Sequence, residues 1–124
     1  MLTSQKLEVK EDERGKAAEL FKFPGIGLVF YSTTKPGMTR GNHYHLRKRE
    51  YFCVIEGRAK IRLRNMKTNE IREQEVSGDK LEIVEMPVNW THNIKNTGNG
   101  EMKLIIWADE VYNHQDPDTY PEKV

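Results

Sequence analysis

Apolar residues in this chain recur at every second position over short stretches. The clearest run is Arg58–Arg64, where Ala59, Ile61 and Leu63 alternate with Arg58, Lys60, Arg62 and Arg64. That period belongs to an extended strand with one face buried and the other wet and basic. Met102, Leu104 and Ile106 alternate in the same way with Lys103 and Ile105. Gly27–Thr33 (GLVFYST) and Tyr51–Ile55 (YFCVI) are rich in β-branched and aromatic residues and predict two more strands.

Turn chemistry falls between these runs. Glu56-Gly57 predicts a reversal into Arg58, and Lys67-Thr68-Asn69 predicts one into Glu70–Val76. Ser77-Gly78-Asp79 and Gly98-Asn99-Gly100 mark two further reversals. Strands at about ten-residue spacing point to an antiparallel sandwich or barrel rather than alternating β and α units. Lys16–Lys22 (KAAELFK) fits either a short helix or an edge strand. The polar tail from Asn113 to Val124, with two prolines, is expected to wrap the surface or fray.

Composition narrows this picture. The 124 residues suffice for one domain, 1–124, with one core. A net charge of +1 gives no reason to expect nucleic acid or an anionic membrane as a partner. No apolar run approaches the roughly 18 residues of a membrane span. The opening MLTSQKLEVKEDERG lacks the apolar stretch of a signal peptide. Cys53 is the only cysteine, so no intrachain disulfide forms and a reducing, cytoplasmic setting is expected. Cys53 itself reads as a small core residue.

The candidate chemistry lies in the histidines. His43 and His45 are two apart and share a face if they lie on a strand. Glu50 follows the polar stretch LRKR, and a hairpin would bring it back beside them. His92 comes from a later strand, after Pro87. Three imidazoles and a carboxylate suit Zn²⁺, Fe²⁺, Mn²⁺ or Ni²⁺. The remaining histidine, His114, falls in the tail. Arg47-Lys48-Arg49 reads as a solvated hairpin tip.

These residues carry a resemblance. Gly41-Asn42-His43-Tyr44-His45, then Glu50 and Gly57, resembles the first cupin motif; Gly78, Pro87, His92 and Asn96 resemble the second. Asn89 stands where that motif carries a glycine, and asparagine tolerates positive φ better than most residues. The implied fold is all-β, a double-stranded β-helix or jelly-roll barrel. Asp12-Glu13-Arg14-Gly15, Pro36–His45, Val76-Ser77-Gly78, Trp90–Ile94, Trp107–Glu110 and Pro117–Tyr120 extend the likeness. Together they resemble the C-terminal cupin domain of the bifunctional UDP-sugar 3-epimerase/4-reductases of capsular polysaccharide synthesis. That resemblance implies a zinc cupin that epimerises C3 of a UDP-linked 4-keto-6-deoxy-N-acetylhexosamine. It also implies a homodimer.

No Gly-rich dinucleotide fingerprint is present, so no NADP and no reductase activity are expected here, and a separate reductase is a possible partner. Arg40-Gly41-x-His43 also resembles a motif of metal-free deoxysugar epimerases and ketoisomerases, in which the histidine is the base and the arginine lies near the phosphates. His43 is therefore a ligand or a proton-transfer base. Tyr31 and Tyr44 are further proton-transfer candidates or ordinary barrel aromatics. Arg40 is a candidate for a diphosphate or a solvated edge charge. Trp90 stacks on substrate or packs beside His92. The competing functions are a metal-dependent dioxygenase and a non-catalytic sugar-nucleotide-binding module.

Overall fold

The computed structural model describes residues 3–124, and among them there is no helix. The strands are β1 (Lys10–Asp12), β2 (Gly15–Phe23), β3 (Gly27–Thr34), β4 (Thr39–Tyr44), β5 (Glu50–Glu56), β6 (Arg58–Asn65), β7 (Ile71–Ser77), β8 (Val84–Met86), β9 (Trp90–Asn96), β10 (Met102–Ala108) and β11 (Tyr120–Pro121). They form a six-stranded sheet, β1-β2-β3-β10-β5-β8, and a five-stranded sheet, β11-β4-β9-β6-β7, both antiparallel in every pairing.

The alternation read in the sequence sets the inward faces. Ala59 and Ile61 of β6 and Met102 and Leu104 of β10 are buried, and Leu63 and Ile106 pack against them. Phe52, Val54, Met86 and Ile94 complete a core between the two sheets. Burying side chains of this size contributes about 1.5–3 kcal/mol each.

Four local expectations are corrected. Lys16–Lys22 lies within strand β2, one place in from the edge, because β1 folds back on it. The Glu56-Gly57, Ser77-Gly78-Asp79 and Gly98-Asn99-Gly100 turns do not close hairpins; each carries the chain from one sheet to the other. Gly57 makes its crossing at φ 88°, where an added Cβ would stand 3.0 Å from the Glu101 carbonyl oxygen. Of the predicted reversals, Lys67-Thr68-Asn69 joins two paired strands, β6 and β7. Likewise β4 and β5 are not a hairpin, since they belong to different sheets. Cys53 faces outward, in register with Ile105 and Tyr31, rather than into the core. Both parities of YFCVI and GLVFYST are apolar, so alternation could not tell inside from outside there.

Candidate metal centre

The four ligand candidates arrive by different routes. His43 lies on β4, His92 on β9 and Glu50 at the start of β5, while His45 opens the connection from β4 to β5. One ligand atom from each lies within 4.8 Å of all the others. A bulge at Gly41-Asn42 makes this register possible. Gly41 faces Asn93, yet His43 faces His92, so Asn42 is the extra residue, at φ 60°. Bulges bend a strand and re-aim its side chains. Gly41 sits at φ 99°, so close to β9 that a Cβ would come within 2.8 Å of the His92 carbonyl oxygen.

The His45–Glu50 connection is held from the far end of the chain. The Asp118 carboxylate accepts backbone N–H bonds from Leu46 and Arg47 at 2.9 Å and Lys48 at 2.6 Å. The Asp118 carbonyl accepts from His45 Nδ1 at 2.7 Å, which fixes the proton there and leaves Nε2 to face Glu50. Burial pushes the Asp118 carboxyl up, but its three backbone donors outweigh burial and hold it below the usual range. Asn89, at φ 65°, donates its N–H to the His45 carbonyl oxygen at 2.8 Å, so it does the glycine's work in that turn.

His45, Glu50 and His92 are buried, and His43 is half-buried. Glu50 Oε1 is 2.8 Å from His45 Nε2. It is also 3.4 Å from His92 Nε2, but outside hydrogen-bonding alignment, so neither ring nitrogen of His92 has a hydrogen-bond partner. Burial alone would raise the Glu50 carboxyl, yet the neighbouring imidazoles hold it well below its ordinary value. His43 is lowered to about 4, chiefly by burial and then by His92, so its imidazole is neutral near pH 7. An unpartnered buried nitrogen costs about 1–3 kcal/mol. Three imidazoles around a buried carboxylate are a donor set that suits a divalent cation, and a cation bound there would resolve that cost.

A cavity of about 230 Å³ opens beside this cluster, with His43, Glu50, Arg14, Arg40, Phe30 and Ser32 in its wall. Arg40 is half-buried; its Nη2 donates to the Thr33 carbonyl at 2.7 Å and its Nε to Thr34 Oγ1 at 3.0 Å. Arg14 is held by Asp12, with Nη2 to Oδ2 at 2.6 Å. The pattern reading had no role for Arg14 beyond the resemblance of its Asp-Glu-Arg-Gly segment, nor any for Ser32, whose buried hydroxyl has no partner.

The aromatic candidates are placed elsewhere. Tyr31 lies in register with Ile105 and Ala18, on the sheet face turned away from the cavity wall of Phe30 and Ser32. Tyr44 stacks on Tyr120 at 5.3 Å. Trp90 carries the Arg72 guanidinium 5.1 Å above its ring, apart from the residues that line the cavity. The basic run is solvated in part: Arg47 and Arg49 are exposed, Arg47 pairing with Glu110 at 2.7 Å and the Arg49 N–H bonding Asp109, whereas Lys48 is buried.

Two antiparallel sheets closed around inward histidines and a glutamate make this a cupin barrel. Residues 10–120 match the family described as the polysaccharide biosynthesis C-terminal domain, and the chain belongs to that family. It is 41% identical over 117 residues to the UDP-2-acetamido-2,6-beta-L-arabino-hexul-4-ose reductase of Pseudomonas aeruginosa, covering 94% of this chain and 32% of that one. It superimposes on the capsular polysaccharide assembling protein CapF of Staphylococcus aureus with a TM-score of 0.94 and 45% identity, over 98% of this chain and 35% of that one. The chain thus spans about a third of each of these relatives. The probable low-salt glycan biosynthesis epimerase Agl13 of Haloferax volcanii is 24% identical, over 90% of this chain and 80% of that protein. Oxalate decarboxylase of Lactobacillus farciminis shares the fold, with a TM-score of 0.71 at 20% identity over 84% of this chain and 31% of that one. Among the described residues no helix is long and apolar enough to cross a membrane.

Proposed function

We propose that this chain epimerises C3 of a UDP-linked 4-keto-6-deoxy-N-acetylhexosamine in surface polysaccharide synthesis, in the cytoplasm. His43, His45, Glu50 and His92 hold one divalent cation, zinc before iron, manganese or nickel. The observation that carries this reading is the four-residue cluster opening into a cavity edged by Arg14 and Arg40. The names of two relatives support it, one a reductase of a UDP-linked hexul-4-ose and the other an epimerase. A separate reductase is the expected consumer of the product.

The chemistry follows from the groups. A C4 ketone acidifies the C3 proton; epimerisation removes that proton and returns one to the opposite face. When bound, the cation supplies Lewis acidity that favours the enolate. A cavity of about 230 Å³ is smaller than the roughly 300–1,000 Å³ of sites that enclose a whole drug-sized ligand. It therefore encloses the sugar and leaves the nucleotide at the mouth, where the Arg14 and Arg40 guanidiniums favour phosphate. His43 has a second role open to it. It is the one of the cluster's three histidines that is not fully buried, and its neutral imidazole can accept the C3 proton.

The test is solvent exchange. With a UDP-4-keto-hexosamine in D₂O, deuterium enters C3 and a second C3 epimer accumulates. No incorporation with any 4-keto nucleotide sugar would overturn the proposal. His43→Gln separates the two roles: loss of metal makes His43 a ligand, whereas retained metal with lost exchange makes it the base. The dioxygenase reading requires iron and oxygen uptake instead.

A further inference from the structure

Among the described residues, three buried side-chain atoms lack a hydrogen-bond partner. Two are the ring nitrogens of His92, which belong to the metal centre. The third is the hydroxyl oxygen of Ser32, a residue 5% exposed in the wall of the cavity. The next two hydroxyls along β3 are satisfied: Thr33 Oγ1 accepts the Lys16 N–H at 2.8 Å, and Thr34 Oγ1 accepts from Arg40 Nε at 3.0 Å. A buried hydroxyl without a partner costs stability. Packing does not ask for one here, because the inward row Ala17–Ser32–Leu104–Val54 is otherwise apolar. Position narrows what this hydroxyl meets. Inward rows lie about 7 Å apart, twice the rise per residue. Ser32 stands two rows from Glu50 and two strands over, with the row Phe30–Ile106–Phe52 between. That is about 14 Å of backbone along the strands, so no single ligand atom meets both. On its other side, the Arg40 guanidinium is anchored on Thr33 and Thr34. Ser32 thus lies between the metal centre and the guanidinium, in the wall of one cavity.

We propose that the Ser32 hydroxyl donates a hydrogen bond to the acetamido carbonyl at C2 of the bound sugar, and so selects 2-acetamido over 2-hydroxy sugars. The inference rests on the reading above for the direction of the sugar, with its C4 ketone at the metal centre and its diphosphate at Arg14 and Arg40. C2 and its substituent then fall in the stretch between, where Ser32 stands. A donor with no acceptor in the protein suits a carbonyl oxygen, and the apolar Ala17, Phe30 and Leu104 beside it suit the acetyl methyl. A 2-hydroxyl is two bonds shorter than the acetamido carbonyl and brings no methyl. A site built to meet a polar group discriminates against the analogue that lacks it, because its own buried group is then left unpaired.

Calorimetric titration of the full chain tests it with two probes that cannot enolise. Both are UDP-linked 6-deoxyhexoses with a hydroxyl at C4, one carrying an acetamido group at C2 and the other a hydroxyl. The wild type is expected to bind the acetamido sugar at least about tenfold more tightly, from one hydrogen bond and one buried methyl. Ser32→Ala shrinks that preference about fivefold or more, by weakening the acetamido sugar alone. Circular dichroism confirms that the variant is folded, and its Tm is not lowered, since the hydroxyl removed had no partner. Ser32→Cys, of similar shape but a weak donor, serves if Ser32→Ala does not fold. A wild type without the preference, or a folded variant that keeps it or weakens both sugars alike, overturns the proposal. Absence of C3 exchange beside a preference that Ser32→Ala removes strikes the epimerase reading and upholds this contact. A wild type that binds neither sugar overturns both.

Discussion

His92 shows how a single side chain can work against the fold it belongs to. It is 1% exposed and both its ring nitrogens lack partners. His92→Leu should therefore raise the stability of the metal-free protein by about 1 kcal/mol, because it removes an unmet hydrogen-bonding demand from the interior. The same change should weaken cation binding more than about 100-fold, since changes outside the ligand shell already cost 10–100-fold. Denaturant melts and metal titrations on one variant check both. His43 gives a pH signature in the metal-free protein. Its pKa sits at about 4, below the ordinary 6.5, so the unfolded chain takes up this proton first. From this residue, stability is expected to fall as pH drops from about 6.5 to 4; a flat profile there in His43→Gln against a slope in the wild type checks it. The clustering of His43, His45, Glu50 and His92 was legible because their types and spacing are rare together. Cys53 was not placed correctly and Tyr31 stayed open between two readings, since apolar residues at both parities of β3 and β5 hide which row faces inward. Arg14 reaches the cavity through folding alone.

At the level of elements, the site depends on one bulge and one clamp. Gly41→Ala would drive a Cβ against the His92 carbonyl in a backbone conformation that side chains rarely adopt. The expected cost is about 1–3 kcal/mol, with loss of the His43–His92 register and hence of metal. Comparison of Tm and metal content with the wild type tests this. Asp118→Ala removes the acceptor of three backbone donors that shape the His45–Glu50 connection. It should cost about 3 kcal/mol and weaken the metal site, while Asp118→Asn recovers part of both. The strands themselves were readable from alternation and composition. The turns were readable as turns, but not as crossings between sheets, because a glycine at positive φ serves a hairpin and a crossing equally well. The clamp was hidden because its halves lie some 70 residues apart, and a polar tail carries no sign of what it will cap.

Across the whole molecule, the centre draws on both sheets: His43 and His92 from the five-stranded one, Glu50 from the six-stranded one. A cation held there ties the sheets together, so its removal by chelation should lower Tm. At a hundred times its Kd, the bound ion stabilises by about 2.7 kcal/mol. The pairings that close the barrel, β3 with β10 and β4 with β9, join distant parts of the chain. Such topologies fold slowly, in milliseconds to seconds. His92 cannot meet His43 until β9 has docked, which makes the centre one of the last things to assemble. A contact absent from the transition state alters one limb of the kinetics. Zinc should therefore leave the refolding rate nearly unchanged and slow unfolding by about the full hundredfold of that stabilisation, so that the ion governs how long a molecule lasts rather than how quickly it forms.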